Sequence, residues 1–119
     1  MTTEKNLSFG QTIRELREKK EIGLRRFAEQ VGMSPTYLSK VERDEFDPPA
    51  EEKVRAMAEA LDQDPDELLA LAGRVSADLP KIIQEKPKEI AAFLRTVKGL
   101  SSIEIERLTQ EAKKKKGNS

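Results

Sequence analysis

Between residues 8 and 73, apolar residues recur three and four apart in runs of about two or three turns, each bounded by glycine, proline or a helix-capping residue. This punctuation constrains the chain more than any other feature. A helix so short is marginal alone and must bury its apolar stripe against neighbours. The expected class is all-α: five short helices, then a helical extension.

The first helix is expected over about residues 8–20, with Phe9, Ile13 and Leu16 inward and Ile22 beyond. Gly23 serves as a permissive N-cap for a second helix that buries Leu24, Phe27, Ala28 and Val31 and stops at Gly32. Ser34-Pro35 opens a third, because serine caps and proline suits a position whose N–H has no intrahelical partner. Leu38 and Val41 form its narrow apolar stripe, leaving Thr36, Tyr37, Ser39, Lys40 and Arg43 for a partner or for water. Asp47-Pro48-Pro49 forces an extended connection. A fourth helix over about residues 50–61 buries Val54, Met57, Ala58 and Leu61. Asp64-Pro65-Asp66-Glu67 has capping-box spacing for a fifth, whose leucines are core and which ends at Gly73. Beyond it, Ser76 is the expected cap of a sixth helix, Pro87 opens a seventh that Gly99 closes, and Ser101 to Glu104 cap an eighth. The lysine tail, residues 113–116 with Gly117-Asn118-Ser119, is expected to fray.

Composition narrows the chemistry. None of the 119 residues is cysteine, histidine or tryptophan, so disulfides, thiolate metal sites and imidazole catalysis are excluded and no catalytic residue is expected. Asp62, Asp64 and Asp66 lack the glycine and distal glutamate of a calcium loop, so neither metal nor cofactor is expected. No stretch is apolar enough to span a bilayer, and the start MTTEKNLSFG lacks the features of a secretory signal, giving the cytoplasm as the expected compartment and no membrane partner. Net charge is zero but segregated: residues 1–40 carry eight basic and five acidic groups, residues 41–73 three and eleven, and residues 74–119 eleven and six.

Two short helices joined through a glycine, the second with a polar exposed face, fit a helix-turn-helix, since a major groove admits one helix while its predecessor lies across the phosphates. Three stretches carry a closer likeness: IRELREKK, RRFAEQVGMSPTYLSKVERDEFDPP and EEKVRAMAEALDQDPDELLALAG. In order and spacing they resemble the XRE family of bacterial and phage regulators, the five-helix fold of lambdoid phage repressors and Cro, from Phe9 to Gly73. The resemblance implies that Thr36, Tyr37 and Lys40 read bases, with Pro35 where members often place a polar reader. It implies that Ser34 and the Leu24 backbone N–H contact phosphate, with Arg25, Arg26 and Arg43 adding charge. Arg17 and Glu42 match the family's ion pair, which turns the arginine toward the DNA backbone. There are departures: Glu21 replaces a usual glycine, Leu24 a frequent glutamine or serine, and Glu45 and Asp47 stand where members often place Lys or Asn.

The domain boundary is expected at Gly73, with residues 1–73 binding DNA and residues 74–119 adhesive. Ile82, Ile83, Ile90, Phe93, Leu94, Val97, Ile103, Ile105 and Leu108 need burial, against the chain's own domain or a two-fold partner, and the partner is favoured because a dimer doubles the contacts to a palindrome. The expected function is a sequence-specific DNA-binding transcriptional regulator and not an enzyme: a repressor acting as a homodimer on an inverted-repeat operator of double-stranded DNA. The alternative is an antitoxin-like or protease-targeted regulator whose C-terminal helices bind a toxin or a metalloprotease.

Overall fold

A computed structural model describes residues 7–117. Residues 1–6, part of the start weighed as a secretory signal, and Asn118 and Ser119 of the tail lie outside the described residues. The chain is helical throughout, with no strand among the described residues: α1 Phe9–Lys19, α2 Leu24–Val31, α3 Pro35–Glu42, α4 Glu51–Ala60, α5 Pro65–Leu71, α6 Asp78–Glu85, α7 Pro87–Val97 and α8 Ser102–Gly117. They divide into two compact units, one through Ala77 and one from Asp78.

In the first unit the helices start where the capping residues direct. The Ser8 hydroxyl accepts from the Gln11 N–H while the Gln11 side chain accepts from the Ser8 N–H, a reciprocal capping box at α1. Ser34 caps α3 through the Tyr37 N–H and Asp64 caps α5 through the Glu67 N–H, each with proline at the first helical position.

All five helices stop the same way. A residue in the left-handed region follows the last turn, and the next residue donates its N–H to a carbonyl five back: Ile22 to Arg17, Met33 to Ala28, Glu45 to Lys40, Gln63 to Ala58 and Arg74 to Leu69. Glycine takes the left-handed position only twice, as Gly32 and Gly73; Glu21, Asp44 and Asp62 adopt it at φ of 56°, 62° and 57°. The chain turns five times within a short span, three of them against the preference of an L side chain.

These turns fold the apolar stripes onto one core, with Ile13, Phe27, Leu38, Val54, Met57, Leu61 and Leu69 wholly or almost wholly buried. Each such side chain contributes about 1.5–3 kcal/mol of transfer free energy. Leu16, Ile22 and Leu24 pack at its edge. Leu71, expected in the core, is exposed, because α5 ends there and its inward face is already taken by Leu68 and Leu69.

The first unit continues four residues past Gly73. Arg74 donates to the carbonyls of both Pro48 and Pro49, Arg55 on α4 donates to the buried Ser76 hydroxyl, and the Glu51 carboxylate accepts from the Ala77 N–H at 3.2 Å. Ser76, expected to cap α6, thus lies two residues before that helix and is tied back to α4.

In the second unit α6 packs against α7, and no residue of α6, α7 or α8 is buried. Ser101 and Glu104 form the capping box of α8, with bonds of 2.9 and 3.2 Å. Lysines 113–116, at the start of the tail expected to fray, are helical, and Lys114, Lys115 and Lys116 lie in the last turn of α8, where positive charge complements the helix C-terminus. No helix among the described residues is long and apolar enough to cross a membrane.

Candidate nucleic-acid interface

The exposed face of α3 is only as well defined as the docking of α3 on the core, and α1 supplies that docking at three points. Gly10 lets the two backbones touch: a Cβ there would sit 2.2 Å from the Val41 carbonyl oxygen and 2.9 Å from that of Glu42. Near it, the Ser8 hydroxyl donates to the Asp44 carboxylate at 2.8 Å. One turn into α1 and beyond, Arg17 grips Glu42 with two bonds, Nε to Oε2 at 2.8 Å and Nη2 to Oε1 at 3.0 Å, and Nη1 donates to the Ile22 carbonyl at 2.8 Å. The hydrogen bonds to Glu42 hold the Arg17 guanidinium above its ordinary pKa, against the lowering effect of burial. Arg17, expected to be turned toward DNA phosphate, is instead 9% exposed, and its three nitrogens are all engaged inside the protein.

The other candidate residues lie on or beside the surface that α2 and α3 share. Thr36, Ser39 and Arg43, one row along α3, line a shallow groove whose opposite wall is Leu24 and Arg25 at the start of α2, with Pro35 at its end. Gly23 provides no side-chain cap for α2, so the first amides of that helix keep their donor capacity and the positive end of its dipole. Arg25 and Arg26 are exposed and form no ion pair among the described residues. Ser34 is exposed; accepting from Tyr37 leaves its hydroxyl proton to donate. Arg43 is paired at the surface with Glu45 at 3.3 Å, so the acidic loop partly offsets its charge.

Tyr37 and Lys40, one turn apart, are half-buried rather than freely exposed. The Tyr37 ring packs at the edge of the core and meets Phe46, with centroids 5.6 Å apart. The Lys40 ammonium lies 5.2 Å from the centroid of the same Phe46 ring. Phe46 itself is 45% exposed. Sequence reasoning passed over it; the available signal was a lone aromatic in the acidic loop just ahead of Pro48-Pro49. Asp62 and Asp64 serve other ends, Asp62 pairing with Lys20 and Asp64 capping α5.

Of the candidate adhesive residues, Ile82, Phe93, Leu94, Ile103 and Ile105 are exposed, while Ile83, Ile90, Val97 and Leu108 are half-buried.

A family described as a helix-turn-helix domain matches residues 8–71. Among solved structures, the P22 c2 repressor in complex with a synthetic operator is 34% identical, over 52% of this chain and 92% of that one, with a TM-score of 0.48. SinR of Bacillus subtilis, the master regulator for biofilm formation, solved in complex with DNA, is 31% identical over 51% of this chain and 97% of that one, with a TM-score of 0.48. A SinR–SinI protein complex aligns with 92% of this chain and 98% of that one at 23% identity and a TM-score of 0.50. No curated protein sequence matches. The match over residues 8–71 and the α2–turn–α3 geometry establish that the chain belongs to the XRE-type helix-turn-helix family of DNA-binding transcriptional regulators.

Proposed function

We propose that this chain is a sequence-specific repressor that binds an inverted-repeat operator as a homodimer and occludes promoter DNA. The observation that carries the reading is the single surface formed by the uncapped start of α2 and the polar row of α3. In this reading α3 enters the major groove, where Thr36, Tyr37 and Lys40 meet base edges. The Leu24 amide, Arg25, Arg26, Ser34 and Arg43 hold the phosphates. Arg17 contributes from behind, by fixing α3 through Glu42.

The unit from Asp78 supplies the two-fold contact. Ile82, Phe93, Leu94 and Ile105 expose more apolar surface than three short helices ordinarily leave to water, which favours a partner. A second copy would place two α3 helices in successive major grooves about 34 Å apart.

Selection of duplexes from a random-sequence library, with light scattering of the full chain, tests both parts. An enriched palindrome that Tyr37→Ala with Lys40→Ala no longer prefers, and a dimeric mass that Phe93→Glu with Leu94→Glu reduces to a monomer, are the expected results. An enriched sequence that the α3 variant still prefers removes α3 from the reading. A monomeric full chain removes the homodimer and assigns the apolar face to a different protein, of the toxin or metalloprotease kind.

A further inference from the structure

Phe46 lies outside the recognition helix, yet it touches two of the side chains that the proposed function assigns to base reading. Its place is fixed from both sides. The Glu45 and Phe46 N–H groups both donate to the Lys40 carbonyl, at 2.8 and 3.3 Å, so the loop leaves α3 in one direction. After Asp47 come two prolines: Pro49 is buried, and Arg74 holds the carbonyls of both. A half-exposed ring would otherwise move freely at the surface; this one is presented on a short, doubly anchored arch.

Lys40 has a flexible four-carbon stem, and free in water it would lose rotamer freedom on meeting a base. The ring face of Phe46 attracts the ammonium from 5.2 Å. The same ring backs Tyr37 at an interplanar angle of 45°, closing off part of the space its phenol could sweep. The two polar ends are thereby ordered before DNA arrives, so geometry selects the base instead of the base selecting a rotamer.

We propose that Phe46 is a positioning residue for sequence discrimination: it holds Tyr37 and Lys40 in their reading orientation without contributing a base contact of its own. This rests on the reading of α3 as the DNA-recognition helix. Loss of the ring therefore weakens binding to the preferred duplex while leaving sequence-independent, phosphate-driven binding alone.

The test uses the full chain and duplexes enriched from a random-sequence library, each compared with a scrambled duplex at two salt concentrations. Phe46→Ala and Phe46→Leu are expected to lower the preference for the enriched duplex about tenfold, with the scrambled-duplex affinity and salt slope unchanged. Phe46→Trp, which restores a ring, is expected to keep the preference within about threefold. In a Tyr37→Ala, Lys40→Ala background, Phe46→Ala is expected to add nothing. In the DNA-free protein, the ring-current displacement of the Lys40 side-chain proton resonances is expected to vanish in Phe46→Leu.

An enriched sequence that Phe46→Leu still prefers in full overturns the role of Phe46 alone. A cost that persists in the double-variant background replaces positioning with direct contact. Failure of the wild-type chain to enrich any sequence overturns the α3 reading and this proposal together, whatever the lysine resonances show.

Discussion

Glu42→Ala tests whether α3 is held by α1 or merely lies beside it. The Glu42 side chain is 4% exposed and that of Arg17 11%, so neither charge is screened as a surface pair would be. Deleting the carboxylate removes two charge-assisted bonds and leaves Arg17 with the Ile22 carbonyl as its remaining partner. Stranding a buried charge in this way costs about 3–5 kcal/mol. A domain the size of the first unit has a total stability of about 4–11 kcal/mol, so the variant forfeits much of it. Arg17→Met with Glu42→Leu removes both charges and is expected to recover at least half of the loss. Urea denaturation followed by tyrosine emission isolates the effect, because Tyr37 is the sole tyrosine and no tryptophan competes. Far-UV circular dichroism would mix in α6 to α8. The raised Arg17 pKa adds a sign: its stabilisation is fully present below the ordinary guanidinium pKa and is lost only as pH rises through the raised value, so Arg17 contributes no slope between neutral and mildly alkaline pH. A single-variant cost under about 1 kcal/mol, the level of an exposed pair, would refute the reasoning. So would a double variant as unstable as the single one.

The remaining expectations use the same emission assay or a DNA titration. Gly10→Ala drives a Cβ into the α3 backbone and is expected to destabilise by about 1–3 kcal/mol; a neutral outcome would mean that α1 can slide away from α3 at no cost. Glu21→Gly relieves a left-handed residue whose side chain is exposed, and should stabilise by about 1 kcal/mol, raising Tm by about 4–8 °C; a fall in Tm would count against strain at the end of α1. Arg25→Gln and Arg26→Gln are each expected to weaken binding to every duplex alike and to shallow the salt slope by about one, and unchanged slopes would place the start of α2 away from phosphate.

Charge and cap placement bear on how such a surface approaches DNA. The acidic middle of the chain is distributed over α4, α5 and the loops at their ends, where Asp62 pairs with Lys20 and Glu51 with Arg55. Arg25 and Arg26 on α2 have no ion-pair partner among the described residues. Net charge is zero, yet in the proposed reading a polyanion meets the exposed Arg25 and Arg26 of α2.

What the sequence revealed and what it hid have one physical cause. Helix starts were legible where a serine or aspartate cap has proline behind it, because that is local chemistry, realised at Ser34 and Asp64. Helix ends were half legible: Gly32 and Gly73 announce a left-handed residue, whereas Glu21, Asp44 and Asp62 do so only because the next helix must return to the core. The two-turn periodicity of α2 and α3 was enough to find the helix-turn-helix, but not to say which of its charges are paired. The family resemblance pairs Arg17 with Glu42, a pair the structure forms, but the burial and the Ile22 carbonyl that make Arg17 an internal clamp while Arg25 stays exposed come from the fold. Ser76 and Arg74, read as the beginning of the extension, belong to the first unit because Arg55 and the Pro48–Pro49 carbonyls are brought to them from over twenty residues away. Phe46 is the extreme case: nothing near it in sequence shows that its ring lies beneath Lys40, and the contact exists only because the left-handed Asp44 turns the chain back along α3. In the proposed reading, discrimination on this surface rests on contacts that local patterning cannot encode: a substitution at Glu42 tests how α3 is held, and one at Phe46 tests how it reads.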